Sequence, residues 1–372
     1  MELELARGTL RRIAWRLGEG IDGPLLTIAV ALVAIGLAAL YSASYESPAR
    51  VTAQLANFAF ALAVMWGVAQ IPPQTLMRFA VPAYAVALAL LLAVWQFGDT
   101  VNGAKRWLHV GVTRFQPSEM MKIAMPLALA WWFHRHETAL RLREFAVAGL
   151  LLAVPVALIA RQPDLGTAAL VAAAGFYVIF FAGISWKFLA AIAAAGLAML
   201  PPLWGLLHDY QRKRILTLLD PSQDPLGAGY HIIQSTIAIG SGGVTGKGWL
   251  QGSQTHLEFI PERHTDFILA VFSEEFGLIG NAVLLTLYTL LIARGLMIAA
   301  NAPTFFARLL AGAITLMFFT YAFVNIGMVS GLLPVVGVPL PFVSYGGTAL
   351  ATLFVGIGIL MSVHRHRKLV QT

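Results

Sequence analysis

Cysteine is absent from the 372 residues of this chain, and charged residues make up only 12% of it. The lack of cysteine excludes disulfide bonds and metal sites with thiolate ligands. Soluble globular proteins carry about 25% charged residues, so this scarcity, together with 58% hydrophobic residues, excludes that class. The apolar runs have the length of helices and lack the alternation of roughly ten-residue barrel strands. The composition therefore predicts an all-α polytopic membrane protein.

About ten segments are long and apolar enough to be transmembrane helices, since a bilayer core needs about 20 residues. The predicted spans are 23–44, 53–70, 79–97, 117–134, 145–160, 165–183, 188–207, 266–293, 309–332 and 346–363. Spans five and six are separated only by 161–164 and could also be read as one span. Residues 208–265 form one large extracytoplasmic loop between spans seven and eight. No internal repeat is visible, so we expect residues 1–372 to be a single domain.

The net charge of +7 does not indicate a nucleic-acid partner, because the basic residues are spread over the connections between spans. With a cytoplasmic N-terminus, the inner segments carry fourteen basic residues and the short outer loops carry five. Cytoplasmic connections are enriched in Lys and Arg, so we expect both termini in the cytoplasm and the long loop outside. The inner set is Arg7, Arg11, Arg12, Arg16, Arg78, Arg135, Arg141, Arg143, Lys187, Arg294, Arg308, Arg365, Arg367 and Lys368; the outer set is Arg50, Lys105, Arg106, Arg114 and Arg161.

The long outer loop contains patterns of its own. Residues 210–219 predict a short basic helix that includes Arg212 and Arg214. Residues 229–239 predict an amphipathic helix folded back on the outer membrane surface, with Tyr230, Ile233 and Ile237 on one face. The glycine-rich stretch 240–248 lacks the spacing of a phosphate-binding loop, so we interpret it as a flexible loop.

Asp266 is the first candidate for chemistry, because it ends a dense polar cluster at the mouth of a predicted span. The cluster comprises Glu262, Arg263, His264, Thr265 and Asp266. One interpretation is a helix cap, with Thr265 as N-cap and Asp266 in the first turn. The other is a catalytic carboxylate, because ionisable residues at membrane depth are functional hypotheses by default. Ser273 and Gly277 share the helical face of Asp266, Glu274 could face the same cavity, and Glu275 points nearly opposite and suits packing.

A second constellation opens the fourth predicted span with Gln116, Pro117, Ser118 and Glu119, followed by Lys122. Glu119 could close a capping box on Gln116. Capping does not explain a lysine inside a span, and Glu119 at i−3 is placed to pair with it. The alternative for Lys122 is snorkelling of its ammonium group to the interface.

Two outer connections carry further polar candidates. Lys105, Arg106 and Trp107 suit a phosphate beside a sugar face, because Arg offers forked donors and Trp an apolar plane; an interfacial Trp with snorkelling basic residues explains them equally well. In the turn at 162–167, Asp164 could cap the sixth span.

The approach to the last span, 334–347, is rich in proline and glycine and includes Ser344. Irregular backbone at membrane depth is tolerated only where it is buried or lines a cavity. We therefore expect a re-entrant segment that walls the site.

Together these motifs resemble the SEDS family of bacterial shape, elongation, division and sporulation proteins. The matching stretches are 105–108, 115–119 with Lys122, 162–167, 261–267 and 334–347, in order along nearly the whole chain. The sequence at 261–266 and the compact length favour the elongation branch over the division branch. The resemblance implies a multi-pass protein of the bacterial inner membrane whose active site faces the periplasm. It also implies a polymerase of lipid II that works with a class B penicillin-binding transpeptidase and other membrane proteins of the elongation complex.

The resemblance further implies that Asp266 is the essential carboxylate and that Glu119 and Lys122 support the site. Asp266 would act as general base for an inverting glycosyl transfer, with Arg106, Lys122 and the basic cluster at 212–214 facing the undecaprenyl pyrophosphate leaving group. A bound divalent cation could share that work, and the sequence indicates no other cofactor. The candidate substrate-binding residues are Lys105, Arg106, Trp107, Gln116, Ser118, Glu119, Lys122, Asp164, Arg212, Arg214, Glu262, His264, Thr265 and Ser344. A lipid II flippase, an ion-coupled carrier and a scaffold for a transpeptidase are the rival functions.

Overall fold

The structure is a computed structural model that describes residues 20–44, 47–101, 104–110, 113–138, 140–206, 212, 216–218, 220–224, 227–257, 259–260 and 262–367. Most of the predicted basic helix at 210–219 lies outside these residues. The candidate Arg214 lies outside them too.

The fold is all-α apart from one small sheet, and each predicted span has a helix at its place in the chain. The long helices are α1 Gly23–Ala43, α2 Pro48–Ala69, α3 Pro73–Phe97, α4 Pro117–Arg135, α5 Leu142–Arg161, α6 Leu165–Phe181, α7 Trp186–Leu206, α10 Ile268–Ala300, α11 Phe305–Val329 and α12 Gly347–Arg365. Two shorter ones are α8 Ala228–Gly242 and α9 Ser253–His256. Among the described residues, seven helices are long and apolar enough to cross a membrane, namely α1, α2, α3, α5, α10, α11 and α12. The count of ten spans stays a prediction.

An ionic cluster around Asp22 marks one end of the bundle. At one end, Asp22 accepts a hydrogen bond from Leu25 N at 2.9 Å and so caps α1. Arg294 of α10 donates to the same carboxylate, with Nε 3.1 Å from Oδ1. We call this the Asp22 end and the opposite one the Asp266 end. Between them α11 is largely buried, with Leu310, Ile314 and other apolar side chains at 0% exposure.

Spans five and six are separate helices. α5 ends at Arg161 and α6 begins at Leu165. Asp164 Oδ1 accepts a hydrogen bond from Thr167 N at 3.1 Å, so Asp164 caps α6 as the sequence predicted. This cap also fixes the second carboxylate oxygen at the start of α6, where other polar groups converge.

α10 is broken at Gly277, which has φ 62° and ψ −158°. Ser273 Oγ lies 3.0 Å from Asn281 Oδ1 across the break, although eight residues of straight helix would separate them by about 12 Å along the axis. The chain therefore turns a sharp corner at Gly277. The predicted span 266–293 therefore contains a bend: α10 is long and apolar enough to cross a membrane, and its part after Gly277 reaches the Asp22 end through Arg294. We call 268–276 the arm.

The glycine-rich stretch 240–248 fills this corner. Leu278 N and Ile279 N, freed by the break, donate to Gly243 O at 2.9 Å and Val244 O at 3.1 Å. In return, Lys247 N and Gly248 N donate to Glu274 O and Glu275 O, each at 3.0 Å. A Cβ on Gly246 would lie 2.0 Å from Glu275 O, so glycine is required by close backbone contact. The interpretation as a flexible loop was therefore wrong: these residues form an ordered plug.

α8 confirms the amphipathic helix predicted at 229–239, and it packs against α10 and α11. Ser235 Oγ donates to Val329 O of α11 at 2.9 Å. Ile233 and Ile237 are exposed on the opposite face, at 36% and 46%. The long loop is thus folded onto the bundle through α8 and the plug.

An antiparallel three-stranded sheet lies between α3 and α4, and the sequence did not predict it. Its strands are β1 Asp99–Val101, β2 Ala104–Val110 and β3 Thr113–Phe115, in the order β1-β2-β3. Alternate side chains of a strand point to opposite faces. β2 departs from this alternation at Arg106, because Asp99 pairs with Trp107 and Thr100 with Lys105, which leaves Arg106 at a β-bulge.

Candidate functional site

Asp266 lies in the turn just before α10, held by its main chain. Asn325 Nδ2 of α11 donates to Asp266 O at 2.8 Å and to Val338 O at 2.7 Å. One buried amide therefore joins the Asp266 turn to the irregular segment 331–346. Asn325 was not predicted as a site residue, although a single amide in the apolar run of α11 is a visible signal.

Asp266 does not cap a helix. The residue preceding α10 is Phe267, which makes no side-chain cap, and Thr265 Oγ1 donates to Glu262 Oε2 at 3.1 Å. The capping interpretation was wrong, because α10 begins only at Ile268. Thr265 and Asp266 therefore both lie in the turn before the helix. Among the described residues no hydrogen bond engages the Asp266 carboxylate. Gly337, with φ 70°, passes so close that a Cβ there would lie 3.3 Å from Asp266 Oδ2.

The surroundings of the Asp266 carboxylate favour its neutral form. Burial and the negative charges of Glu262 and Asp164 raise its pKa to about 6, against the lowering effect of Arg106. A carboxyl group with a pKa near the working pH has the property expected of a general base.

A network of hydrogen bonds forms the facing wall. Arg106 Nη1 lies 3.5 Å from Asp164 Oδ2. Gln116 Nε2 donates to the same oxygen and to Ser118 Oγ, each at 3.0 Å. The network joins β2, α4 and α6. Arg106 Nε is buried and has no partner among the described residues, so one donor of the guanidinium remains unused.

Lys122 is buried behind this wall, at 1% exposure. Its ammonium donates to Glu119 Oε1 at 2.6 Å and to Tyr321 OH of α11 at 2.5 Å. The predicted pairing with Glu119 is confirmed, whereas the snorkelling alternative is wrong. Gln116 makes no side-chain cap on α4, so the capping box is absent too. Tyr321, the third member of this cluster, was not predicted from the sequence.

Segment 331–346 walls the Asp266 turn on another side, as expected. Ser344 Oγ donates to Thr265 O at 2.6 Å and accepts from Leu340 N at 2.8 Å. Tyr345 N donates to His264 O at 2.9 Å. Ser344 therefore holds the turn and the segment together through its hydroxyl group.

Several predicted binding residues lie elsewhere. Lys105 Nζ donates to Trp95 O at 3.1 Å and Gln96 O at 2.9 Å at the end of α3. Trp107 follows Arg106 in β2 and pairs in register with Asp99 of β1, and its predicted role beside Arg106 stays a prediction. Arg212 Nη2 donates to Gly205 O at 2.8 Å.

Glu274 does not face the Asp266 cavity, contrary to expectation. Its carboxylate accepts from Lys247 Nζ at 2.7 Å, Gln254 N at 3.0 Å and Ser253 Oγ at 3.2 Å. It therefore clamps the arm to the end of the long loop. Glu275 Oε1 accepts from Ser42 of α1 and serves packing, as expected. No group of three His, Asp or Glu side chains within the described residues is arranged to hold a metal ion.

Comparisons with known proteins identify the family of this chain. The family described as "Cell cycle protein", which unites FtsW, RodA and SpoVE, matches residues 24–369. The chain is 51% identical to the peptidoglycan glycosyltransferase MrdB of Escherichia coli, over 94% of this chain and 95% of that protein. It is 37% identical to the probable peptidoglycan glycosyltransferase FtsW of Thiomicrospira cyclica, over 96% of this chain and 95% of that one.

Two solved structures are similar over the whole bundle. One, from a study of how a peptidoglycan synthase complex coordinates polymerization and crosslinking, gives a TM-score of 0.82 at 35% identity, covering 93% of this chain and 98% of that chain. The other is the rod shape determining protein RodA of Thermus thermophilus, with a TM-score of 0.71 at 31% identity, covering 93% of this chain and 97% of that chain.

Proposed function

The chain belongs to the FtsW/RodA/SpoVE family and is a peptidoglycan glycosyltransferase, and from that premise we propose that it polymerises lipid II with Asp266 as general base. Lipid II is the undecaprenyl-linked disaccharide peptide. The observation that carries the proposal is the placement of the Asp266 carboxyl group: Asn325 holds its main chain in the turn before α10, no hydrogen bond among the described residues engages the carboxylate, and burial with the charges of Glu262 and Asp164 raises its pKa to about 6.

The transfer consists of one bond formed and one bond broken. Asp266 accepts the proton of the GlcNAc 4-hydroxyl as that oxygen attacks C1 of the MurNAc of a second lipid-linked sugar. The bond from C1 to the pyrophosphate oxygen breaks, so the configuration at C1 inverts and undecaprenyl pyrophosphate leaves. Arg106, whose side chain is 30% exposed, supplies positive charge where negative charge develops.

Lys122 has a supporting role in this mechanism. Its ammonium group is buried between Glu119 and Tyr321, so it does not reach the leaving group as the sequence suggested. It joins α4 to α11 and thereby fixes the wall that carries Gln116 and Ser118. A buried pair of this kind stabilises a particular arrangement more than it adds to stability.

We further propose the partner of the enzyme, its branch of the family and its membrane location. The similarity to a chain of a peptidoglycan synthase complex supports a crosslinking class B transpeptidase as partner. The higher identity to MrdB than to FtsW supports the elongation branch. The multi-pass helical bundle belongs in the inner membrane, with the Asp266 end towards the periplasm and both termini in the cytoplasm.

The function is tested by supplying lipid II to the purified protein in complex with its transpeptidase and measuring glycan strands against pH. The rate should rise with pH through about 6 and level off above it, because the base form of Asp266 exists above its pKa. Arg106→Ala should move this acid limb to higher pH, since Arg106 lowers the pKa. The exposed Arg161→Ala is the matched control and should leave the limb in place.

Two results would count against the proposal. Translocation of lipid II without glycan strands would favour a flippase. Polymerisation with a flat profile between pH 5 and pH 8 would exclude Asp266 as the titrating base, since a carboxyl group with a pKa of about 6 loses its base form within that range.

The orientation is tested by single cysteines, which the cysteine-free chain makes simple. Ser253→Cys at the exposed start of α9 should react with a membrane-impermeant thiol reagent in intact cells. Thr138→Cys, exposed in the turn between α4 and α5, should react only after lysis. The reverse pattern would place the Asp266 end in the cytoplasm.

A further inference from the structure

A second polar cavity lies at the Asp266 end and takes no part in the mechanism above. It has a volume of about 500 Å³ and opens between the start of α2 and residues 260–264. Its polar lining includes Ser47, Arg50, Glu262, Arg263 and His264. Residues 262–266 thus have this cavity on one side and the wall formed by Arg106 and Asp164 on the other.

The cationic groups of the cavity are held in place. Arg263 Nε donates to Ala43 O at 3.0 Å, and its Nη1 donates to Thr255 O at 3.2 Å. The Arg50 guanidinium contacts the His264 ring, whose Nδ1 lies 3.2 Å from Ser44 Oγ. Arg50 is also in the first turn of α2, where the helix terminus adds positive potential.

This combination suits a multivalent anion. Two guanidinium groups and an imidazole face the space, and Glu262 is the one acidic group among its described lining residues. Arginine binds phosphate groups through pairs of parallel hydrogen bonds. The cavity is large enough for a diphosphate, because ligand pockets start at about 300 Å³.

We propose that this cavity binds the diphosphate of the acceptor, the lipid-linked sugar whose hydroxyl group attacks. The inference rests on the proposed function, because polymerisation requires two lipid-linked diphosphates at once. The donor diphosphate is bonded directly to the reacting C1, and Arg106 is the cation whose charge acts on Asp266. The acceptor diphosphate lies a disaccharide away from its attacking hydroxyl. The cations across 262–266 are therefore assigned to the acceptor.

The test separates the two substrates chemically. The donor is lipid II blocked at its GlcNAc 4-hydroxyl, so that it cannot be extended. One acceptor is a lipid II analogue with a methylene group in place of the anomeric oxygen, which keeps the diphosphate but cannot donate. The other acceptor is an uncharged alkyl glycoside of the same disaccharide peptide. Single transfers are measured with the full-length protein in complex with its transpeptidase.

Arg50→Ala should raise KM for the charged acceptor about tenfold or more, the loss expected for one hydrogen bond to a charged group. KM for the donor should stay unchanged, and so should KM for the uncharged acceptor. Ser47→Trp, which fills the cavity from α2, should raise KM for the charged acceptor in the same way. Arg161→Ala, an exposed arginine outside the cavity, is the matched control and should change neither constant.

The outcomes distinguish the proposed function from the assignment of the cavity to the acceptor diphosphate. No glycan strands from native lipid II with the wild-type protein would overturn the proposed function itself. Normal strands together with an unchanged acceptor KM in both Arg50→Ala and Ser47→Trp would overturn the acceptor assignment alone. An increase in donor KM in place of acceptor KM would overturn it as well, because the cavity would then hold the leaving diphosphate.

Discussion

Replacing Asp266 by asparagine is expected to slow glycan polymerisation about 10²–10⁴-fold, the contribution typical of a positioned general base. The amide has nearly the same shape as the carboxylate but cannot accept the proton of the attacking hydroxyl. The main-chain hydrogen bond from Asn325 uses Asp266 O and is untouched by the substitution. The fold should therefore persist while the chemistry is lost. The rate of a single transfer at saturating lipid II is the measurement that reports this.

A pH profile and a control variant show whether the loss of activity in Asp266→Asn is specific. The residual activity of the variant should no longer rise with pH through about 6, because the group with that pKa is gone. Glu137→Gln, an exposed carboxylate in the turn after α4, is the matched control and should retain the full rate. Equal polymerisation by Asp266→Asn and wild type would falsify the assignment of the base.

Replacing Lys122 by methionine is expected to lower the free energy of unfolding by about 3–5 kcal/mol, because it leaves a buried carboxylate without its partner. Glu119 is 6% exposed, and its second oxygen already lacks a partner within the described part of the chain. Unfolding of the purified protein in detergent by heat or denaturant measures the loss. Lys187→Met, at an exposed position near the start of α7, is the control and should change the stability little.

A double variant shows whether the charge pair or the packing is responsible. Lys122→Met with Glu119→Gln removes both charges and should recover much of the lost stability, since no lone charge remains buried. A Lys122→Met protein as stable as wild type but inactive would contradict the supporting role. It would indicate instead that the ammonium group acts on the substrate.

Helix positions could be predicted from the sequence because hydrophobicity and length are local properties. The helices α1, α4 and α5 lie within a few residues of their predicted bounds, and Asp164 caps α6 as its place in the turn suggested. The pairing of Lys122 with Glu119 was also readable, because residues three apart share a helix face.

Contacts between distant parts of the chain could not be read in this way. Tyr321 completes the Lys122 site from 199 positions away, and no local pattern links the two. The corner in α10 was hidden for a similar reason. An apolar run with a few glycines looks like a continuous helix unless the plug at 240–248 is known to supply the missing hydrogen bonds. The β2 strand was missed too, and with it the irregular pairing that leaves Arg106 at a β-bulge.

The corner at Gly277 makes the arm a lever with the proposed base near its tip. About ten residues of helix separate Gly277 from Asp266, which corresponds to an arm length of roughly 15 Å. A rotation of only about 4° at the corner would move the carboxylate by roughly 1 Å, and misplacement on that scale can reduce a rate about 10²-fold. The hydrogen bonds of Glu274 lie close to Gly277. A small displacement of the helix there produces a larger movement at Asp266. We therefore expect the catalytic rate to depend on the residues that fix the angle at Gly277 as well as on Asn325 and Ser344, which hold the Asp266 turn directly.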